Sequence, residues 1–130
     1  MLVVDASALV DVLAGTTRAA GIRARLDEAD GLAAPELLVT ETVSALHRLV
    51  RARVLTVAEA DAAVPLLAIV PVRLITHELL LADVWRLRHA VRTADAFYVA
   101  CALRLGVPLL TSDGRLARAG IPGVTVTLVT

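Results

Sequence analysis

The chain contains no lysine; all thirteen of its basic residues are arginine. It has one cysteine, Cys101, and three aromatic residues, Trp85, Phe97 and Tyr98. A single cysteine excludes an internal disulfide, and its place in an apolar run is where buried thiols are found. With so few aromatics the core must be built from Ala, Val, Leu and Ile, and base stacking cannot dominate any recognition of nucleic acid. Net charge is also missing: thirteen acids balance thirteen bases, so no global basic field announces a polyanion partner. The longest apolar run, Ala62 to Val72, is too short to span a bilayer. The opening MLVVDASALVDVLAG lacks a basic leader and carries Asp5 and Asp11, unlike a signal peptide. A soluble, cytoplasmic protein is the expectation.

What is present is a chain of 130 residues, 58 % hydrophobic and 20 % charged. That composition argues against disorder, and the length suits one domain spanning residues 1–130 that buries roughly 65–70 % of its unfolded surface. MLVVD reads as a short buried strand. ASALVDVLAG reads as a helix with Ser7 near its start and Gly15 as its stop. A second helix over 17–29 precedes a short strand, GLAAP. Pro35 then opens a long helix, PELLVTETVSALHRLVRA. Thr56 caps a helix in which Pro65 is a potential kink. VRLI reads as a strand, Thr76 as the cap of a helix from His77 to about His89, and Thr93 as the cap of one through Leu105. VPLLT, a short helix GRLARAG and VTVTLV complete the chain. Apolar strands alternating with helices predict a mostly parallel sheet covered on both faces, a three-layer α/β/α sandwich.

In such sheets ligands bind beyond the carboxyl ends of the strands. Asp5 ends the first strand and Asp113 follows the PLLT strand, so both belong to that rim. Asp95 begins a helix whose following residues, AFYVACAL, carry no charge; its N-terminus must therefore reach an edge of the sheet. Glu41 borders the apolar stripe of Leu38, Ala45 and Leu49 on the long helix. Glu36 borders its opposite edge, and periodicity does not choose between the two. Singly, Asp5 and Asp113 read equally well as cap or turn residues, while Glu41 reads more readily as a solvated helix acid and Asp95 as a helix-start charge. Together they are costly, because crowded carboxylates raise one another's pKa unless a cation neutralises them. Without lysine that cation is arginine or a metal ion. All-oxygen ligands select Mg²⁺ or Mn²⁺ over zinc, and His47, His77 and His89 lack metal-pair spacing. Neither DAS nor TSD forms a nucleophile elbow, and AGTTRAAG lacks the lysine of a phosphate loop.

With VVDASALV, PELLVTETVSAL and TADAFYVACALRLGVPLLTSDGRL in view, the chain resembles the PIN-domain family over essentially its whole length, and within it the VapC-type toxin ribonucleases. The run D-A-F-Y-V-A followed by P-L-L-T-S-D carries most of the specificity. The family's four acidic positions match Asp5, Glu41, Asp95 and Asp113, and its supporting hydroxyls match Ser7 and Thr111. The resemblance implies a Mg²⁺-dependent endoribonuclease, with Mn²⁺ as a substitute, acting on single-stranded or looped RNA. It also implies a small cognate antitoxin whose C-terminal segment occludes the active site, and a homodimer.

The acidic cluster suggests a mechanism in which Asp5 and Asp95 hold the metal most closely. Glu41 and Asp113 complete the pocket, directly or through waters, and one of them orients the attacking water. An acidic pocket repels RNA, so arginines must flank it. Arg92 and Arg115, nearest the acids in sequence, are the phosphate-contact candidates, against a plain reading as solvated helix charges. Receiver domains and haloacid-dehalogenase phosphatases also gather acids at strand ends, but both need a lysine. Two alternatives remain: a 5′-nuclease-like activity on DNA, and a catalytically weak PIN-fold interaction module. The leucines Leu66, Leu67, Leu79, Leu80 and Leu81 exceed what one helix face needs; they read either as a dimer or antitoxin groove or as core.

Overall fold

A computed structural model describes residues 1–130. Five strands, β1 (Leu2–Val4), β2 (Leu32–Pro35), β3 (Val72–Ile75), β4 (Leu109–Thr111) and β5 (Val126–Leu128), form one sheet in the order β3-β2-β1-β4-β5. Every pairing is parallel, with Val3 opposite both Ala33 and Leu109. Seven helices connect them: α1 (Ala6–Ala14), α2 (Ala19–Asp27), α3 (Leu37–Arg51), α4 (Val57–Ile69), α5 (Leu81–Arg86), α6 (Thr93–Leu105) and α7 (Gly114–Ala117).

The strands alternate their side chains between two covered faces, as parallel strands must. Leu2, Val4 and Leu110 pack with Ala8 of α1 and Ile22 of α2. Val3 and Leu109 belong to the larger core, with Val99, Ala100 and Ala102 of α6 and Val84 of α5. Helix α6 is the most enclosed: Ala96, Tyr98, Val99, Ala100, Cys101 and Ala102 are all buried, which accounts for its long uncharged stretch. The architecture is the expected α/β/α sandwich. Its strand order reverses between β1 and β4, because the chain builds β2 and β3 outward on one side before returning to β4 on the other. The carboxyl ends of β1 and β4 flank that reversal, the place where an open parallel sheet leaves a crevice.

Several boundaries differ from the sequence reading. Asp5, not Ser7, caps α1: its carboxylate accepts the Ala8 N–H while Gly15 closes the helix at φ 66°. Pro35 ends β2 instead of opening α3, consistent with the extended conformation proline favours. The His77–His89 stretch divides into a 3₁₀ turn at His77–Leu79 and the short helix α5. Thr76 occupies the cap position of that turn without a side-chain bond. The residue before α6 is Arg92, and Thr93 is its first helical residue. Thr56 does cap α4, in a reciprocal capping box with Glu59, and Pro65 lies inside that helix without dividing it.

Candidate active site

Asp5 leaves β1 and is almost fully enclosed, 5 % exposed. Its Oδ1 accepts the Ser7 hydroxyl at 2.6 Å and the Ala8 N–H at 3.0 Å, and its Oδ2 accepts the Thr111 hydroxyl at 2.6 Å. Thr111 comes from β4, next to β1 in the sheet, so adjacent parallel strands bring the two side chains together. The hydroxyls do more than support Asp5. Ser7 Oγ accepts the Ser112 N–H at 3.0 Å, Thr111 Oγ1 accepts the Asp113 N–H at 2.9 Å, and the two oxygens lie 3.2 Å apart. Ser112 thus enters through its backbone, which the alternation of strand side chains gave no reason to single out. Burial pushes the Asp5 carboxyl up to about 6. The bonds from Ser7, Thr111 and Ala8 pull it down only in part, and the nearby negative charge of Asp113 adds a little to the rise.

Asp113 turns the chain out of β4 into α7, where its side chain accepts the Arg115 N–H at 2.8 Å. Burial acts to raise its pKa. The Arg115 N–H and the Arg115 guanidinium, 2.9 Å from Oδ2, outweigh that and hold it below the usual carboxylate range. Asp95, in the first turn of α6, accepts from Arg92 at 3.1 and 3.5 Å and lies 3.7 Å from Arg115 Nη2. Arg92 also stands 4.0 Å from Asp113. The two arginines therefore straddle the same pair of carboxylates, and the hydrogen bond to Asp95 is the main cause raising the Arg92 pKa.

Glu41, on α3, accepts the Tyr98 hydroxyl at 2.7 Å. Burial, then this bond, pushes the Tyr98 hydroxyl pKa upward, so it serves as a fixed donor. Glu36 is the acid that periodicity could not separate from Glu41. It faces elsewhere, accepting the His77 N–H at 3.4 Å. His77 in turn accepts the Leu37 N–H and packs against Phe97, a structural role.

Asp5, Glu41, Asp95 and Asp113 all line one cleft of about 410 Å³, although they come from four separate parts of the chain. Ser7, Arg92 and Tyr98 share its walls, as do Thr40, Ser44 and Arg48 of α3. The sequence reading passed over these last three and Tyr98. Helical spacing held the signal, since Tyr98 follows Asp95 by three residues and Ser44 and Arg48 follow Glu41 by three and seven. Several other arginines have local partners: Arg18 with Asp11, Arg25 with Glu28, Arg86 with Asp83, and Arg88 over the Trp85 ring.

The donor set suits a hard cation. Arg92 and Arg115 pair with Asp95 and Asp113, while Asp5 and Glu41 have no arginine partner. A carboxylate offers about four acceptor sites; Asp5 uses three, leaving one on Oδ2. No three His, Cys, Asp or Glu side chains converge into a ready-made ion cage. An open arrangement of this kind excludes a closed all-protein site but fits Mg²⁺, which keeps several waters and takes one or two carboxylates directly.

The PIN domain model matches residues 2–122. The chain belongs to the PIN-domain family. Within that family it is of the VapC type: it is 48 % identical over 119 residues to Ribonuclease VapC3 of Mycobacterium tuberculosis, covering 91 % of this chain and 86 % of the relative. It is 42 % identical over 122 residues to Ribonuclease VapC1 of the same organism, covering 92 % of each. The crystal structure of M. tuberculosis VapC20, described as a sarcin-ricin loop cleaving toxin, superposes with a TM-score of 0.67 at 22 % identity, covering 96 % of this chain and 99 % of that one. A toxin–antitoxin complex from Klebsiella pneumoniae gives 0.61 at 15 % identity, covering 96 % of each chain. These two likenesses show the fold.

Proposed function

We propose that this VapC-type chain is a metal-dependent endoribonuclease, the toxin of a toxin–antitoxin pair, and that its catalytic residues are Asp5, Glu41, Asp95 and Asp113. The observation carrying this reading is that these four carboxylates line one cleft at the carboxyl ends of β1 and β4. Residues 1–130 act as one domain, since the cleft draws on both ends of the chain.

Asp5 and Asp95 would hold Mg²⁺ or Mn²⁺ most directly, with Glu41 and Asp113 holding it through water. When bound, the ion would lower the pKa of a water and neutralise charge on the phosphate under attack. Ser7 and Thr111 fix both Asp5 oxygens by short hydrogen bonds, so the carboxylate is oriented before any ligand arrives. Tyr98 does the same for Glu41, which is the better placed of the outer acids to take a proton from the attacking water, because no arginine competes for it. Arg92 and Arg115 offset the negative charge that would otherwise repel RNA, and each has donors to turn toward a phosphate.

The partner is a small antitoxin. Its C-terminal segment would occlude the acidic cleft, and a wholly apolar groove of about 340 Å³ between α1, α3, α4 and β3, walled by Leu9, Leu38, Val43, Val64, Leu67 and Leu74, offers a surface for apolar side chains. Of the leucines in question from sequence, Leu80 is buried core and Leu67 forms groove wall, whereas Leu66, Leu79 and Leu81 are exposed outside it. No helix is long and apolar enough to cross a membrane. Action in the cytoplasm and as a homodimer are parts of the same proposal.

Purified protein should cleave RNA with Mg²⁺ and stop on addition of EDTA, and Asp95→Ala should abolish cleavage while the circular dichroism spectrum stays native. Full activity in that variant would overturn the assignment. Cleavage of DNA flaps in preference to RNA would favour the 5′-nuclease alternative, and Mg²⁺-independent inertness the interaction module.

A further inference from the structure

Thr40, Ser44 and Arg48 stand at successive four-residue steps on α3, and all three line the acidic cleft. A four-residue step rises about 6 Å along a helix and turns only slightly, so the three side chains form a row on one wall. That row runs past Glu41 and ends about 10 Å beyond it along the helix axis. All three residues are exposed. None of the three side chains hydrogen-bonds or ion-pairs with the rest of the chain, in contrast to Arg92 and Arg115, which lie against Asp95 and Asp113. Arg48 is therefore the one arginine lining the cleft whose donors are all free.

We infer that this row is a binding track for the sugar–phosphate backbone of the RNA strand, with Arg48 gripping a phosphate next to the cleavage position and Ser44 and Thr40 bonding backbone oxygens nearer the acids. The inference rests on the ribonuclease reading above. Its physical basis is charge placement. A strand entering a pocket of four carboxylates needs a cation outside the metal position, and a guanidinium with no carboxylate of its own breaks no ion pair to bind a phosphate. Val10 and Ala45, the apolar residues beside the row in the cleft, bring no competing charge. A contact of this kind positions the strand without reading its bases, so Arg48 sets affinity more than sequence choice.

The test uses a random-sequence single-stranded RNA oligonucleotide and the Glu41→Gln chain, in which cleavage is blocked, with fluorescence anisotropy over a range of salt concentrations. Adding Arg48→Ala should weaken binding about tenfold and flatten the dependence of log affinity on log salt by about 0.7, the loss of one phosphate contact on a single strand. Arg48→Lys should restore the slope and most of the affinity, whereas Arg48→Glu should weaken binding beyond alanine. In the chain with Glu41 intact, Arg48→Ala should raise KM with little change in kcat. The thermal midpoint and its rise with Mg²⁺ should stay at the parent values. Unchanged affinity and slope in Arg48→Ala, with RNA still cut by the parent protein, overturns the track alone. Failure of the parent protein to bind or cut any RNA overturns the ribonuclease reading and the track with it.

Discussion

The Tyr98 hydroxyl donates to Glu41 Oε1 at 2.7 Å, joining α6 to α3 across the acidic cleft. Tyr98 also fills the core beneath it at 2 % exposure, so the donor sits on an immobile ring. Removing only the oxygen separates positioning from packing. Tyr98→Phe should lower kcat about tenfold, the rate equivalent of one well-aligned hydrogen bond, while stability falls by about 1 kcal/mol or less. Steady-state cleavage kinetics beside thermal melts decide it, and an unchanged kcat would remove Tyr98 from the positioning of Glu41.

Asp5 binds its proton more tightly in the folded chain, at a pKa of about 6 against 3.8 unfolded. Its contribution to stability is therefore most favourable below 3.8, declines as pH rises through the 3.8–6 window, and is constant above it. Held ionised at neutral pH without metal, the group costs on the order of 3 kcal/mol. Asp5→Asn should melt higher than the parent in EDTA at pH 7, and the difference should close below pH 4. A variant less stable than the parent at neutral pH would contradict this account of the buried charge.

The same titration couples to the ion. Mg²⁺ or Mn²⁺ should raise the thermal midpoint at pH 7.5, by an amount that grows with the logarithm of ion concentration. That gain should shrink as pH falls through 6, where proton and cation compete for Asp5. Differential scanning fluorimetry across pH measures it directly; a shift independent of pH would place the ion elsewhere.

Arg115 lies 2.9 Å from Asp113 and 3.7 Å from Asp95, occupying oxygens that a cation would use. Arg115→Ala should destabilise the metal-free protein by only a few tenths of a kcal/mol to about 1, because the arginine is half exposed. Mg²⁺ affinity should tighten several-fold by titration calorimetry. Weaker metal binding in the variant would show that Arg115 supports the metal site and does not compete with it.

Thr42, on α3 next to Glu41, is wholly buried, and its hydroxyl finds no partner. Thr42→Val keeps the shape and removes the orphaned oxygen. It should stabilise the fold by about 1 kcal/mol in urea melts, with cleavage unaffected.

The parts of the fold legible from sequence were those fixed by local chemistry: the Gly15 helix end, the Thr56 cap and the uncharged run of α6. The rim positions of Asp5 and Asp113 followed from where their strands stop. Glu41 was not separable from Glu36 by periodicity, since that choice depends on which side of α3 meets Tyr98, a contact spanning 57 positions of chain. Arg92 and Arg115 were read as phosphate-contact candidates or solvated helix charges, and the structure pairs each with an acid within three residues of it. Pro35 and Thr93 misled because proline and threonine are as acceptable in the flanking strand or first helical turn as at the helix boundary itself.

β5 touches none of the acids, yet it is the only strand covering the outer side of β4, and the Val129 N–H bonds the Thr111 carbonyl at 2.9 Å. Whatever peels the last few residues away would turn β4 into a frayed margin and loosen Thr111, and through it Asp5. β5 thus works as a brace, and a cut that releases it from β4 would silence the toxin without approaching its cleft.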